Sequence, residues 1–374
     1  MKNTQEIDIS KYKEDHSFYP EIKLLITIKS FDLQAIRERY LKNKNKKSNR
    51  TGSVNRREVA LGGVAEITIK NGKIVESNIL NKFPEPRGVD SFKEVTAFSS
   101  ENKVYLLRGE SLQKISNPWF SYIHTIDIER EDSNRMLVSS SGFDCIFEYS
   151  IEETKKTFEW FAWENGFNHG IDPETSEKLF LTRKKEEAEK YQANGKKHLF
   201  ISDPENQMLP TAKRAAFINS VVYDPFDKGN VIATFFHEGA VYQINRYTGK
   251  ATKVLDDLNN PHGGMKLSEN EYMGTSTRGG EIVIGNRDNQ TCYSFKHLGG
   301  KPEFLREMEW VQNTKIVDNN FIAIDSNRNA FVIFDPAKNM ISRVEYDPNW
   351  AIQDLVVSYL DEEQKNTIRN IKQY

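Results

Sequence analysis

The sequence predicts an all-β fold, a six-bladed β-propeller that carries a helical insertion between two of its blades. Three observations predict this fold. Short strand-like runs recur between turn residues from about residue 60 to residue 350, several segments repeat one order of strands and turns, and these segments begin about one blade length apart. Seven blades is the alternative count. A β-sandwich is the competing fold, because it also produces short alternating strands.

Three segments carry the repeat most clearly, and each runs strand, polar turn, strand, small-residue turn, strand. They are HTIDIEREDSNRMLVSSSGFDCIFEYS from His124, NSVVYDPFDKGNVIATFFHEGAVYQINR from Asn219, and HGGMKLSENEYMGTSTRGGEIVIGN from His262. A fourth strand follows two of them, in KTFEWF and KATKVL. Four antiparallel strands make one propeller blade, so each segment predicts one blade.

Further blades are predicted on both sides of these three. NTKIVDNNFIAIDSNRNAFVIFD from Asn313 and EVTAFSSENKVYLLRGESLQKI from Glu94 fit the same template, and residues 58–80 are another candidate. The intervals from Asn219 to His262 and from His262 to Asn313 are about 43 and about 51 residues, close to the roughly 40–50 of one blade. The chain ends are expected to complete the sixth blade through a strand such as IKLLITI or AIQDLVV.

The domain boundaries follow from the extent of the repeat. Residues 58–360 are assigned to the propeller, residues 1–57 to an N-terminal segment partly packed on it, and residues 361–374 to a C-terminal tail. Residues 161–215 interrupt the repeat, and SEKLFLTRKKEEAEKYQANGKK within them is rich in helix-forming residues and ends in Asn-Gly. This helical insertion is either a lid over the channel mouth or a surface elaboration without a role in chemistry.

Composition and charge exclude several classes of partner. The formal net charge is −2, and the basic stretch YLKNKNKKSNRTGSVNRRE lacks interleaved aromatic residues, so neither nucleic acid nor a membrane surface is expected as a partner. This stretch is expected to form a solvated, mobile loop. The two cysteines are too few for a disulfide framework, and no apolar run is long enough to span a membrane, so a cytoplasmic location is expected.

Repeat-equivalent positions predict where polar side chains converge. The innermost strands of a propeller line its central channel, so the first residues of successive segments form a ring there. This ring consists of Glu94, His124, Asn219, His262 and Asn313. A second ring, from the end of the following strand, consists of Arg108, Gly142, His237, Arg278 and Asn327. Both rings are expected at the same mouth of the channel.

The residue types in these rings favour chemistry over packing. Three imidazoles from three blades, His124, His237 and His262, are typical ligands of a catalytic divalent metal such as iron, zinc or manganese. Glu94 is then a fourth ligand or a general base, and Arg108 and Arg278 bind an anionic substrate group.

In the metal-dependent interpretation, Asn219, Asn313 and Asn327 are expected to bind the substrate.

Two other interpretations of the rings stay open. A metal-free interpretation uses His237 or His262 as the general base. In the other, the polar rings simply line a water-filled channel without catalysing anything.

The turn PHGG at the start of a blade, the strand HTIDI and the Asp and Asn residues in the turns resemble those of bacterial six-bladed propeller enzymes. These include gluconolactonase-like proteins, streptogramin lyases and arylsulfotransferase-like proteins. The resemblance covers about residues 90 to 350, and it implies a divalent cation or catalytic histidines at the channel mouth. The gluconolactonase-like pattern uses Glu, Asn and Asp around its cation, whereas the ring here includes two His, so the resemblance does not imply lactone hydrolysis.

Taken together, these features predict a metal-dependent propeller enzyme that acts on a small polar or anionic molecule at the channel mouth. Lyase or hydrolase chemistry is favoured, and oxygenase chemistry through a histidine-bound iron is a further option. The alternative belongs to another class: a non-catalytic propeller that binds a peptide, a carrier protein or a glycan on its top face. Trp and Tyr would favour that alternative, and the predicted rings contain neither.

Overall fold

In the computed structural model, which describes residues 2–44, 52–55 and 58–372, strands form seven sheets, and six of these sheets are propeller blades. The chain begins with two short strands, then a long strand, a helix and a long hairpin. These elements are β1 (Asn3–Asp8), β2 (Lys13–Glu14), β3 (Ile22–Ser30), α1 (Leu33–Lys44), β4 (Leu61–Lys70) and β5 (Lys73–Pro84).

After these elements come blades 1 and 2, each with its strands in sequence order. Blade 1 contains β6 (Val89–Phe92), β7 (Val95–Ser100), β8 (Lys103–Arg108) and β9 (Ser111–Ser116). Blade 2 contains β10 (Ile123–Ile128), β11 (Arg135–Ser140), β12 (Cys145–Ser150) and β13 (Lys156–Phe161).

An insertion separates blade 2 from blade 3. It forms a three-stranded sheet beside one helix, with the elements β14 (His169–Ile171), β15 (Lys178–Thr182), α2 (Lys185–Ala193) and β16 (His198–Phe200). The helix packs on β15 and β16 of its own sheet. The expected helix is therefore present, but the insertion also contains strands, which its helix-forming composition did not indicate.

Three further blades complete most of the ring. Blade 3 contains β17 (Ile218–Tyr223), β18 (Asn230–Phe235), β19 (Ala240–Asn245) and β20 (Ala251–Leu255). Blade 4 contains β21 (His262–Ser268), β22 (Glu271–Ser276), β23 (Glu281–Gly285) and β24 (Asn289–Ser294). Blade 5 contains β25 (Val311–Val317), β26 (Asn320–Asp325), β27 (Ala330–Asp335) and β28 (Met340–Glu345), and the chain ends with β29 (Ala351–Val357) and α3 (Glu362–Arg369).

Blade 6 joins the two ends of the chain. Its strand order is β29, β3, β4, β5, so the C-terminal strand is innermost and N-terminal strands supply the rest. Both strands proposed for closure, IKLLITI and AIQDLVV, are therefore used. The six inner strands contact one another in a closed cycle, β6, β10, β17, β21, β25, β29 and back to β6, which confirms the six-bladed propeller.

This closure changes the domain boundaries. Because β3 belongs to blade 6, the propeller includes part of the segment 1–57 that was assigned to an N-terminal region. The remaining N-terminal strands, β1 and β2, lie outside the ring and pair in parallel with β24 and β28 as fifth strands of blades 4 and 5. Much of the basic stretch lies outside the described residues, including Lys46, Lys47, Arg50, Arg56 and Arg57.

The middle strands of the blades are apolar because neighbouring sheets cover both of their faces. NFIAID and AFVIFD, the central strands of blade 5, are buried at every residue. The outermost strand of blade 1, SLQKIS, buries only Ile115. Burial on both faces replaces the usual alternation with a continuous apolar run, which is why these central strands are easy to recognise in the sequence.

Turns between strands follow ordinary hairpin chemistry. Asn71 and Gly72 join β4 to β5 with φ angles of 50° and 74°, the left-handed values that an Asn-Gly hairpin adopts. A side chain at Gly72 would also lie 2.6 Å from the His16 ring. Among the described residues, no helix has the length and apolar character needed to cross a membrane.

Candidate functional site

Every blade places a buried polar side chain near the start of its inner strand. The six residues are Arg87, His124, Asn219, His262, Gln312 and Gln353, and we call them the mouth ring. The sequence predicted three of them, His124, Asn219 and His262. It missed the two glutamines and Arg87.

Hydrogen bonds link successive members of the mouth ring across blade boundaries. Arg87 Nη1 lies 3.3 Å from His124 Nε2 and donates to Gln353 Oε1 at 3.2 Å. Lys29, at the end of β3, donates from Nζ to Gln353 Oε1 at 3.1 Å and to Gln312 Oε1 at 3.2 Å. Blades 1, 2, 5 and 6 are thus connected through one cationic network.

His124 is held in its neutral form with both ring nitrogens engaged. Its Nδ1 lies 3.0 Å from the Tyr122 carbonyl, an acceptor, so Nδ1 carries the hydrogen and Nε2 accepts from Arg87. Burial lowers the pKa of His124 well below its usual value, and the positive charges of Arg87 and Arg214 lower it further. The imidazole is therefore uncharged at neutral pH.

His262 lies beside His124 in a similar environment. The two ring centroids are 6.4 Å apart, and His262 Nδ1 lies 2.8 Å from Thr277 Oγ1. Burial, followed by the charges of Lys29 and Arg87, lowers the pKa of His262 to about 3. Two neutral imidazoles therefore lie within one positively charged environment.

The glycines of PHGG are needed for this placement. At Gly263 the φ angle is +60°, and a Cβ there would lie 2.0 Å from Asn313 Oδ1. A Cβ at Gly264 would lie 2.4 Å from Thr234 Oγ1. The strand forms a bulge between His262 and Met265, so the glycines let β21 bend and approach its neighbours closely while the imidazole stays in the ring.

His237 does not join the other two histidines. Its Nε2 lies 2.9 Å from the Thr211 carbonyl oxygen. The Phe236 ring centroid lies 5.4 Å from that of His237 and 5.6 Å from that of His262. His237 thus contacts the segment that leads out of the insertion.

The predicted metal ligand set is not assembled by these residues. Nowhere in the described part of the chain do three or more His, Cys, Asp or Glu side chains form a group suited to a metal ion. In addition, His124 has no ring nitrogen to offer, since one donates to Tyr122 and the other accepts from Arg87. A set containing His124, His237 and His262 therefore does not fit a divalent cation in this arrangement.

A buried carboxylate holds a second arginine over the same region. Asp144 accepts from the backbone N–H groups of Ala215 and Phe217 and from Trp163 Nε1. These bonds fix the segment that contains Arg214, whose guanidinium lies 4.4 Å from the ring centroid of Tyr122. Arg87 lies 5.0 Å from the centroid of the same ring, so Tyr122 is in contact with two guanidinium groups.

Glu94 and Arg108 were placed wrongly. Glu94 lies in the turn between β6 and β7, at the opposite end of the inner strand from Arg87, and the exposed Arg108 pairs with Val95 beside it. The alignment took β7 for the first strand of blade 1. The true first strand, VDSF, has only four residues, two of them polar, so it lacked a strand pattern.

The three asparagines and Arg278 have backbone or cross-blade contacts. Asn219 Nδ2 donates to the Pro261 carbonyl, Asn313 Nδ2 to Asp354 Oδ1, and Asn327 Nδ2 to the Met308 carbonyl, at 2.8, 2.8 and 2.7 Å. These bonds link neighbouring segments. Arg278 is half-buried in the loop after β22, where its backbone N–H donates to Asn259.

A cavity of about 550 Å³ lies beside the mouth ring, between α1 and the β4–β5 hairpin. Lys29 and Glu85 both line it. Glu85 Oε2 lies 3.5 Å from Arg87 Nη2, so the cavity wall is connected to the ring by an ion pair. Lys29 therefore belongs both to the cavity lining and to the cationic network.

Arg87, Lys29 and Arg214 had weak signals in the sequence. Arg87 precedes the short strand that the sequence prediction missed, and Lys29 directly follows IKLLITI, which was considered only as a closing strand. Arg214 lies five residues before Asn219 in KRAAFINS. The only sequence feature that could have indicated its role is a charged residue before a short apolar run.

The comparisons with known proteins support the fold alone. No model of a known protein family matches the chain, and no curated protein does. Among the solved structures that match is a nidogen/laminin complex, with a TM-score of 0.50 and 9% identity, over 89% of this chain and 97% of that chain. Another is a protein of unknown function from Bacteroides caccae, with a TM-score of 0.51 and 13% identity, over 90% of this chain and 98% of that chain. The chain has the fold of a β-propeller. A streptogramin B lyase structure matches with a TM-score of 0.42 and 10% identity, over 70% of this chain and 83% of that one.

Proposed function

We propose that the protein is an enzyme of the lyase or hydrolase type that binds the anionic group of a small molecule at the mouth ring and transfers a proton through an imidazole, without a resident metal. The observation that carries this proposal is the position of two neighbouring buried, neutral histidines beside Arg87 and within the electrostatic influence of Lys29. The proposal follows the metal-free interpretation of the rings rather than the metal-dependent one.

The electrostatics of the ring favour an anion over a cation. Besides the effect of His262 on His124, the charged groups that shift the pKa values of the two imidazoles are all cations, namely Arg87, Arg214 and Lys29. Glu85 compensates part of this charge through its contact with Arg87. In a site removed from bulk water these charges act strongly, so a carboxylate or phosphate is stabilised there and a divalent metal is repelled.

The same arrangement couples binding to proton transfer. Before an anion binds, burial and then the nearby cations keep the pKa values of His124 and His262 low. A bound anion offsets the contribution of the cations, so both pKa values rise and each imidazole becomes a stronger base. Arg87 and Lys29 then stabilise negative charge that develops on the substrate.

Nuclear magnetic resonance of the histidine rings tests this coupling directly. Protein labelled with ¹⁵N at histidine is titrated between pH 3 and 8 in chloride, and again with inorganic phosphate at matched ionic strength. We expect phosphate to raise the pKa values of His124 and His262 by about one unit or more. A His237→Gln variant identifies the signals of His237. The responses of His124 and His262 to phosphate are expected to be the same in this variant as in the parent protein.

The Arg87→Gln variant provides the second measurement. Removing this cation is expected to raise the pKa of His124 in chloride and to weaken phosphate binding about tenfold. If neither imidazole responds to phosphate at millimolar concentration, or if Arg87→Gln changes neither quantity, the ring is structural. The interpretation as a non-catalytic binding platform would then be favoured.

A further inference from the structure

The cavity beside the mouth ring has a helix as one wall and a strand pair as the other. One face of α1, together with the residue that precedes the helix, forms the helical wall. This wall consists of Asp32, Ala35, Ile36 and Arg39, which have the i, i+3, i+4 and i+7 spacing of a single helix face. Its volume, about 550 Å³, lies within the ~300–1,000 Å³ of typical small-molecule sites.

Apolar side chains form much of this lining. Phe31, Ile36, Leu61 and Ile79 all contribute, and Leu61 and Ile79 remain 55% and 44% exposed. Apolar surface that lines a concavity and stays in contact with water gains free energy when a ligand covers it. This part of the cavity therefore suits a hydrocarbon or aromatic group.

Glycines shape the wall that carries Phe31. A Cβ at Gly63 would lie 2.9 Å from Phe31 Cζ, and a Cβ at Gly62 would lie 1.9 Å from the Ile28 carbonyl oxygen. Any larger residue there would displace the aromatic ring or the strand. The cavity wall is thus built by close approach of backbone segments.

Two cations line the same cavity without a carboxylate partner. Among the described residues, no Asp or Glu lies within ion-pair distance of Arg39 or Lys82, and Lys82 Nζ lies 5.9 Å from the Phe31 ring centroid. Two of the acidic residues of the lining are already engaged, because Asp32 Oδ1 accepts from the Ala35 N–H and Glu85 pairs with Arg87. The third, Glu58, is exposed.

We propose that this cavity binds anionic amphiphiles, which are molecules with an apolar body and one carboxylate, sulfonate or phosphate group. The apolar body lies against Phe31, Ile36 and Ile79, and the anionic group pairs with Arg39 and Lys82. This inference deepens the proposed function, since the cavity reaches the mouth ring through Lys29 and Glu85, and it names the class of substrate that enters there.

Two fluorescent dyes with related apolar bodies test the inference on the full-length protein. One is 1-anilinonaphthalene-8-sulfonate, and the other is N-phenyl-1-naphthylamine, which lacks the sulfonate. We expect the sulfonate to bind saturably with one site per chain. The uncharged dye is expected to bind at least fivefold more weakly, because it cannot pair with the two cations.

Matched variants on one strand locate the site. Lys82→Gln and Ile79→Ser should each weaken binding of the sulfonate about fivefold to tenfold, while only Ile79→Ser should weaken binding of the uncharged dye. Lys73→Gln and Val75→Ser are the controls. They change exposed residues of the same strand, β5, outside the cavity lining, and should leave both affinities unchanged.

The inference is overturned if the sulfonate does not bind saturably, or if the control variants weaken it as much as the cavity variants do. It is also overturned if Lys82→Gln has no effect. The phosphate titration of His124 and His262 reports on the mouth ring, whereas dye binding reports on the cavity residues. Failure of dye binding with an intact phosphate response therefore rejects the cavity and keeps the mouth ring, and the reverse result rejects only the mouth ring.

Discussion

At the scale of single residues, Arg87 determines the character of the channel mouth. Its guanidinium contacts His124 and Gln353 through Nη1, approaches Glu85 through Nη2, and lies over Tyr122. Because these contacts come from both sides of the group, the cation stays beside the imidazole. Its position follows from the tertiary structure, and residue type alone did not indicate it.

Metal analysis of the purified protein tests the ligand geometry at this scale. We expect zinc, iron and manganese each to stay well below one ion per chain, because the Nε2 lone pair of His124 is used by Arg87. A chelator is expected to leave thermal stability unchanged. Near-stoichiometric metal that is lost in His262→Gln would contradict this expectation and restore the metal-dependent interpretation.

Asp354, on the inner strand of blade 6, gives a pH-dependent prediction. Burial raises the pKa of this carboxyl group to about 6, against 3.8 ordinarily. Because the folded state holds the proton more tightly, the stabilisation from protonating Asp354 is complete below about pH 4. It is lost as the pH rises through 6.

Asp354→Asn removes this titration and keeps an oxygen for Asn313 and Leu355, which both donate to Asp354 Oδ1. The free energy of unfolding of the variant, relative to the parent, is expected to increase from pH 4 to pH 7 by up to roughly 3 kcal/mol, at about 1.4 kcal/mol per pKa unit. Denaturant titrations at several pH values measure it. A flat difference for Asp354→Asn would reject the shifted pKa.

At the scale of elements, the strands that are easiest to predict are those buried on both faces, although the partly exposed outer strands KTFEWF and KATKVL were also predicted. NVIATF in β18 and AFVIFD in β27 are long apolar runs between polar turns, and such runs are recognisable in any register. The strand VDSF in β6 is short and half polar, so its pairing with β7 depends on the neighbouring blades. The missed strand displaced the ring prediction from Arg87 to Glu94.

The close approach of blades 3 and 4 at PHGG yields a stability prediction. A Cβ at Gly264 would lie 2.4 Å from Thr234 Oγ1 and 2.9 Å from a Val241 methyl group, both in blade 3. Gly264→Ala should lower the free energy of unfolding by about 1–3 kcal/mol, because both neighbours are fully buried and Thr234 Oγ1 is held by a hydrogen bond with Ser220. Gly299→Ala, with nothing within 4 Å of its Cβ, is the control and should change it by less than about 0.5 kcal/mol.

The comparison of the two glycine variants is made by denaturant unfolding at one pH. Equal stability of Gly264→Ala and Gly299→Ala would mean that the interface between blades 3 and 4 adjusts easily. The close packing assigned to PHGG would then be wrong.

At the scale of the whole molecule, polar contacts link neighbouring blades around the ring. Asp90 pairs with Arg130, Glu148 with Arg246, and Asp224 with Lys266, which joins blades 1 to 2, 2 to 3 and 3 to 4. Arg328 donates to the carbonyls of Phe295 and Leu298, which joins blades 4 and 5. Blade 5 meets blade 6 through Asn313 and Asp354, and blade 6 meets blade 1 through Thr27 and the Arg87 carbonyl.

These contacts could not be predicted from the repeat. Each pair joins residues far apart in sequence, such as Glu148 and Arg246, and the residues occupy different positions in different blades. The repeat specifies that sheets recur and close, because every blade follows the same strand order. It does not specify which charged side chain will be buried at a junction.

The pair between Asp224 and Lys266 tests how much one such junction contributes. Both side chains are almost completely buried, at 0% and 7% exposed, and their atoms lie 3.0 Å apart. Lys266→Met leaves the Asp224 carboxylate buried without its cation, although Gln243 still donates to it. We expect a loss of about 3 kcal/mol in the free energy of unfolding, since an uncompensated buried charge is the main cost.

Combining Lys266→Met with Asp224→Asn should recover a substantial part of that loss, because no charge is then left at the junction. Lys250→Met, at an exposed position of blade 3, serves as the control for loss of a lysine. Denaturant unfolding of the parent protein, the two single variants and the double variant gives the coupling free energy between Asp224 and Lys266. If the double variant is as unstable as the sum of its single variants, the two side chains act independently, and the blades are held together by their apolar faces rather than by this ion pair.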